Sequence, residues 1–174
     1  MADHYDVAIV GSGPSGLSAG ARAAQKGINH ILLETTDHAS DTIYKFQKKK
    51  FVMATPDVMP LRSDVSFEVG IREDILETWD KEIDEKKINI SYNSEVTAIT
   101  GEKDNFTLTI KDGRTITANH VVLSIGMQGN IRKLDVDGDD WEGVQYQLDD
   151  PEEYEDERII VIGAGDAAIE NSVA

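Results

Sequence analysis

The 174-residue chain contains no cysteine. That absence excludes disulfides, thiolate metal ligation and a redox-active cysteine pair within these residues. Nor is there an apolar run near the roughly 18 residues needed to span a bilayer, so no membrane association is expected. The first ten residues hold no lysine or arginine and pass straight into a glycine-rich motif, unlike a secretory leader. Cytoplasm is the expected compartment. A further absence is local: residues 135–157 carry twelve Asp or Glu and no Lys or Arg. The net charge is −16, yet outside this segment 21 acids face 17 bases, so the acidity is a patch. It argues against nucleic-acid binding, which favours basic faces. It reads as a solvated connector, with docking of a basic partner as the alternative. No Ser-His-Asp or paired-carboxylate constellation is visible, and His38 and His120 each stand alone. No acid, base or nucleophile is therefore nominated, and no metal site is expected. Asp135, Asp137 and Asp139 imitate a calcium loop, but Gly138 falls fourth and Asp140 sixth, where the pattern wants Gly sixth.

What is present is ordered. At 40% hydrophobic and 29% charged residues the composition is that of a soluble globular chain. Residues 7–10 are an apolar run that enters Gly11-Ser12-Gly13-Pro14-Ser15-Gly16. An Ala-rich helical pattern follows over 17–25, then a second apolar run, 31–33, ending on Glu34. This is strand, tight turn, helix, strand, acid. Gly11 lets the chain turn, Gly13 lets the backbone approach a pyrophosphate, and Gly16 lets the helix pack on the strands. The helix N-terminus offers free N–H groups and the positive dipole end. Glu34, 23 residues after Gly11, is placed for ribose hydroxyls. The alternative is a glycine-rich turn in an ordinary α/β domain.

Residues 35–68 have no clean period and include Pro56 and Pro60; they read as a long loop. Lys48, Lys49 and Lys50 within it read as a solvated basic surface, with attraction of phosphate or of an acidic partner as the alternative. Ile71, Ile75, Leu76, Trp79 and Ile83 mark an amphipathic helix over 71–86. Ile88, Ile90 and Tyr92 alternate as a short strand. Residues 96–100, 106–111 and 115–118 read as a β-meander, with Asp112-Gly113 as a two-residue turn. A buried strand is expected over 121–125, and another over 158–162. The latter enters Gly163-Ala164-Gly165-Asp166-Ala167-Ala168, a second dinucleotide fingerprint. Asp166 and Glu170 read as helix N-terminal acids favoured by the dipole. One strand and one helix cannot close a cofactor site, so the chain reads as cut inside a domain.

Two such fingerprints in this order resemble the two-dinucleotide-binding-domain flavoproteins of the pyridine nucleotide-disulfide oxidoreductase superfamily. The nearest likeness is to its thioredoxin-reductase-like and ferredoxin–NADP-reductase-like branch; Thr42, Ile43 and Tyr44 through Val69 look most like the bacillithiol-disulfide-reductase type. The resemblance implies an α/β fold, a Rossmann-like FAD/NAD(P)-binding three-layer domain with a parallel sheet plus a β-meander. It implies a FAD-binding domain over 1–134, an acidic linker over 135–157 and the start of a truncated NAD(P)H-binding domain over 158–174. By the same resemblance Gly11, Gly13, Pro14, Ser15 and Gly16 cradle the FAD pyrophosphate and Glu34 binds the adenosine ribose. Val96 matches the position whose backbone meets adenine. Ser124, Ile125 and Gly126 match the segment leading past FAD out of its domain. Gly163, Gly165 and Ala168 match the NAD(P)H pyrophosphate turn, and residues 42–46 fall where such proteins line the flavin ring. The implied activity is that of an NAD(P)H-dependent flavoprotein oxidoreductase passing electrons through FAD to a disulfide or a small redox carrier, homodimeric in its full-length form. The return strand and Gly-Asp motif that complete such a FAD site are absent. Alternatives are a flavin-dependent monooxygenase or oxidase, and a non-catalytic dinucleotide-binding interaction module.

Overall fold

The computed structural model describes residues 3–53, 63–127 and 131–173. Pro56 and Pro60 lie outside the described residues, as do Gln128, Gly129 and Ala174. Six strands form one mixed sheet in the order β5-β2-β1-β8-β7-β6. Strand β1 (Asp3–Val10) pairs in parallel with β2 (His30–Leu33) and β8 (Thr115–Leu123), and β2 pairs in parallel with β5 (Ile90–Ser91). Strands β6 (Val96–Glu102), β7 (Asn105–Ile110) and β8 run antiparallel as a meander. The expected parallel sheet and meander are thus joined through β8.

Alternation along the buried strands sorts side chains into two cores. Ile9 and Leu32 face helices α1 (Pro14–Gln25) and α3 (Arg72–Glu85), packing with Leu17, Ala21, Ile75, Trp79 and Ile83. Ala8, Ile31 and Leu33 face the other way, against Leu108, Ile110, Ile116 and Ala118 of the meander. Helices, parallel strands and meander make three layers. Each fully buried Leu or Ile contributes about 1.5–3 kcal/mol, so both faces of β1 and β2 must be covered. Helix α1 lies close on the sheet because residue 20 is glycine: a Cβ there would sit 2.7 Å from Ile88 Cγ2. Helix α3 keeps its expected stripe in Ile75, Trp79 and Ile83, and the Trp79 indole N–H donates to the Ser66 carbonyl at 2.9 Å. Ile71 leaves that stripe: it precedes the helix and pairs with Phe51 in a small antiparallel ribbon, β3 (Phe51–Val52) with β4 (Gly70–Ile71).

Four expectations change. The loop over 35–68 contains a short helix, α2 (Asp41–Tyr44), as well as β3. Residues 115–118 and 121–125 are not two strands; continuous pairing to β1 makes them one, β8, and Leu123 and Ile125 end exposed rather than buried. The turn at Asp112-Gly113 has three residues, because the Gly113 N–H donates to Ile110 and the Ile110 N–H to Arg114 while Gly113 takes φ +93. That is a type I turn closed by a left-handed glycine. The strand expected over 158–162 does not form: the segment has no ladder partner among the described residues, and Ile160 is 90% exposed. An extended apolar run becomes a strand only when another edge satisfies its backbone groups. Helix α4 (Asp166–Val173) follows. No helix among the described residues is long and apolar enough to cross a membrane.

Candidate dinucleotide site

The first glycine turn is built by contacts that only hydrogen-sized side chains allow. Gly11 has φ +95, and a Cβ on it would meet the Ser124 carbonyl oxygen at 2.5 Å. A Cβ on Gly16 would lie 1.9 Å from the Gly11 carbonyl oxygen. Ser124 closes this packing from β8, its N–H donating to the Val10 carbonyl at 2.8 Å. Gly13 differs: a Cβ there would meet nothing within 4 Å. It is the N-cap of α1, without a side-chain cap, and Pro14 follows in the first turn, which holds no acid. The first bond of the helix runs from the Leu17 N–H to the Gly13 carbonyl at 3.0 Å. The N–H groups of Ser15 and Gly16 therefore have no partner inside the helix. Free donors, a positive dipole end and open space at Gly13 together suit a diphosphate.

Glu34 follows the last residue of β2 and is 7% exposed. Its Oε2 accepts the Ser12 N–H at 2.9 Å and the Ser12 hydroxyl at 2.5 Å, and its Oε1 accepts the Thr36 N–H at 3.1 Å; the Thr36 hydroxyl lies 3.3 Å from Oε1 but donates its one proton to the His38 carbonyl at 2.8 Å. Three donors keep the buried carboxylate tolerable and leave a lone-pair position on Oε1 without a donor from the chain. Its backbone is clamped too, since the Ser94 N–H donates to the Glu34 carbonyl at 2.7 Å. Val96, which opens β6 opposite Ile110, lies two residues further on. Burial, and the charges of Asp80, Asp84 and Glu34 in that order, hold the Tyr92 hydroxyl above its ordinary pKa.

Sequence reasoning missed the serines. Ser12 and Ser40 are fully buried or nearly so, and the Ser40 N–H and hydroxyl bond to the Ser12 hydroxyl and carbonyl at 3.1 Å each. They tie the loop after β2 to the glycine turn. A small polar residue between two glycines is the sole sequence signal for Ser12. His38 is not isolated: Nδ1 lies 2.8 Å from Asp37, Nε2 lies 3.1 Å from Asp41, and the ring stacks on Tyr44 at 3.7 Å. His120 lies within β8, with Nε2 4.0 Å from Asp104. Within residues 42–46, Tyr44 has the Arg72 guanidinium 5.4 Å from its ring centre and Phe46 has Lys50 Nζ at 5.1 Å. Ile125 and Gly126 are exposed beyond Ser124, Gly126 with φ +64. Two shallow grooves, about 260 Å³ beside Ala21 and Lys86 and about 350 Å³ beside Trp79, include none of the fingerprint residues in their walls.

The second turn repeats the geometry in the open. Gly163 has φ +126, its notional Cβ would touch the Ala168 Cβ at 3.7 Å, and Gly165 faces empty space. The Ile169 N–H donates to the Gly165 carbonyl at 3.1 Å as α4 begins. Glu170, expected as a helix N-terminal acid, instead pairs with Lys50 at 2.6 Å. The lysine run is not simply solvated, nor is the acidic segment a free connector: Lys49 Nζ lies 2.7 Å from Glu152, and Lys48 pairs with Asp150.

Comparison with known proteins gives these residues a context. The family described as pyridine nucleotide-disulphide oxidoreductase matches residues 8–174. The ferredoxin–NADP reductase of Leuconostoc mesenteroides is 26% identical over 98% of this chain and 49% of its own length. The chain spans about half the length of the curated relatives it matches. Among solved structures, the bacillithiol disulfide reductase of Staphylococcus aureus superposes with a TM-score of 0.83 at 21% identity, over 98% of this chain and 53% of that one. A flavin-containing monooxygenase from Stenotrophomonas maltophilia reaches 0.58 at 17% identity, over 70% of this chain and 38% of its own. Both likenesses concern the fold.

Proposed function

We propose that this chain, which belongs to the pyridine nucleotide-disulphide oxidoreductase family, holds FAD at its first glycine turn in the service of an NAD(P)H-dependent flavoprotein oxidoreductase activity. One observation carries the reading: at Gly13 an open backbone and an uncapped helix start adjoin a buried carboxylate already bonded to the turn. When bound, FAD supplies acceptance of a hydride from NAD(P)H and onward delivery of electrons. The residues supply the rest. The Ser15 and Gly16 N–H groups bind the diphosphate, with Gly11, Gly13 and Pro14 shaping the approach. Glu34 accepts from a ribose hydroxyl at Oε1, where the Thr36 N–H is the one donor from the chain. The backbone at Val96 meets adenine, Ser124 to Gly126 leads out past the cofactor, and residues 42–46 line the flavin. Gly163, Gly165 and Ala168 begin an NAD(P)H-binding domain over 158–174, separated from the FAD domain over 1–134 by the acidic 135–157. The acceptor is a disulfide or a small redox carrier, and the full-length form is a cytoplasmic homodimer.

The test is Gly13→Asp. Asp is a good N-cap, so helix α1 keeps or slightly gains stability, while a fixed negative charge meets the diphosphate. Titrated with FAD and followed by flavin fluorescence, the variant should bind about a hundredfold more weakly than the wild type, with its melting temperature unchanged or raised. A variant that binds FAD as tightly as the wild type would sink the assignment.

A further inference from the structure

Among the described residues, 159–173 bring no buried side chain to the first domain, and three ion pairs tie 150–170 to it. Residues 159, 160, 161 and 162, together with Ile169 and Val173, are all exposed, so no buried hydrophobic surface fixes the second turn in place. Three consecutive lysines instead take three separate acids: Lys48 with Asp150, Lys49 with Glu152, and Lys50 with Glu170 on α4. The register is pinned between them. The Lys48 N–H donates to the Asp149 carbonyl at 2.9 Å, and the Gln147 side-chain amide donates to the Lys45 carbonyl. Both sides are presented rigidly. On one side the Glu152 N–H donates to the Asp150 carboxylate at 3.1 Å, at the start of a 3₁₀ turn (Pro151–Tyr154). On the other, the Arg72 N–H bonds to the Lys50 carbonyl at 2.8 Å and the Lys49 N–H faces the Glu73 carboxylate at 3.3 Å, anchoring the lysine loop to α3.

We propose that Lys48, Lys49 and Lys50 with Asp150, Glu152 and Glu170 form an ionic latch that holds the second glycine turn against the first domain and opens as ionic strength rises. Exposed ion pairs are weak singly. Three on one short run act together, because closing the first raises the effective concentration of the next. With no buried hydrophobic side chain beneath the second turn, screening loosens the attachment: the Debye length falls from about 10 Å at 0.1 M salt to about 3 Å at 1 M. The latch rests on the proposed function only in taking the second turn as a nucleotide site, and its test does not use nucleotide, so either can fail alone.

Hydrogen exchange of the whole chain, read by mass spectrometry over 145–157 and 166–173, tests it. In low salt the triple change Lys48→Glu, Lys49→Glu, Lys50→Glu should speed exchange in both segments about tenfold. Adding Asp150→Lys, Glu152→Lys and Glu170→Lys should restore slow exchange, and the wild type in about 1 M salt should match the triple variant. Amides of β1, α1 and β2 report that the fold persists. If salt leaves both segments of the wild type unchanged, or if the swapped chain stays as fast as the triple variant, the latch is wrong.

Discussion

The chain carries one glycine spacing twice, from Gly11 to Gly16 and from Gly163 to Ala168, and surrounds the two copies differently. Both copies turn on a left-handed glycine and both lead into a helix. The first is locked between strands: Ser124 presses on Gly11, Gly16 touches the Gly11 carbonyl, and Glu34 bonds to Ser12 from the next strand. The second has no strand before it and no core beneath it among the described residues, and its described ties to the rest are three lysine–carboxylate pairs and two hydrogen bonds to the backbone of Lys45 and Lys48. The motif therefore specifies a local turn, while the neighbouring strands decide whether that turn becomes a finished site. Leu17 and Ile169 make the contrast measurable, because each follows the last small residue of its fingerprint. Leu17 is fully buried and Ile169 is 58% exposed.

The largest expected difference comes from truncating that pair. Leu17→Ala should lower unfolding stability by about 2–5 kcal/mol, through lost burial and the cavity left against Ile9 and Leu32. Ile169→Ala should stay within about 0.5 kcal/mol. Urea unfolding of both variants checks this; equal losses would mean the second helix has a core of its own. A smaller difference comes from the glycines. Gly16→Ala places a methyl 1.9 Å from a backbone oxygen and should destabilise by about 1–3 kcal/mol, since the turn must shift. Gly165→Ala meets nothing within 4 Å and should be neutral within about 0.5 kcal/mol. The second turn already carries Ala168 where the first has Gly16, and the thermal midpoints of the two variants show whether only the first is closed to a methyl.

The same contrast explains what could be read from the amino acids alone. The first turn, Glu34 and the α3 stripe are legible because each is local: a spacing of three to five residues, or a strand and its acid within one β-α-β unit. The meander was legible strand by strand, but not the fusion of its last strand with the run after it, since both patterns favour extended chain and only pairing with β1 joins them. The failed strand over 158–162 has every intrinsic preference for one; what it lacks is an edge, and an edge is tertiary. The lysine–acid pairs lie about a hundred residues apart in sequence, so the Lys48 run and the acidic segment each look solvated when read alone. Ser12 and Ser40 escape for another reason. Their roles depend on burial, which a short polar residue does not announce.

Acid should separate the two regions further, with the smallest effect of all. In the first, Asp80 is held above its ordinary 3.8 by burial and then by Asp84 on the same helix, with His38 acting weakly the other way. Its folded pKa exceeds its unfolded one, so the penalty of its charge is relieved as pH falls through the folded value; mild acid favours this helix. In the second, Asp150 is held below 3.8, chiefly by its bond to Lys48, so its contribution is present above 3.8 and lost as pH falls through the depressed value. Lys48 and Lys49 are raised above 10.5 by their bonds to Asp150 and Glu152, so theirs is present below 10.5 and lost only as pH rises through the higher value. The contact of the acidic segment with Lys48 and Lys49 should therefore be flat from pH 4 to pH 10.5 and loosen on either side. A chain without native cysteine allows a clean measurement: cysteines introduced at exposed Lys103 and Glu155, labelled for energy transfer, report the distance between meander and acidic segment. That distance should broaden below pH 4 while circular dichroism of the first domain holds, and a transition near neutral pH would mean that groups other than these carboxylates and lysines carry the contact.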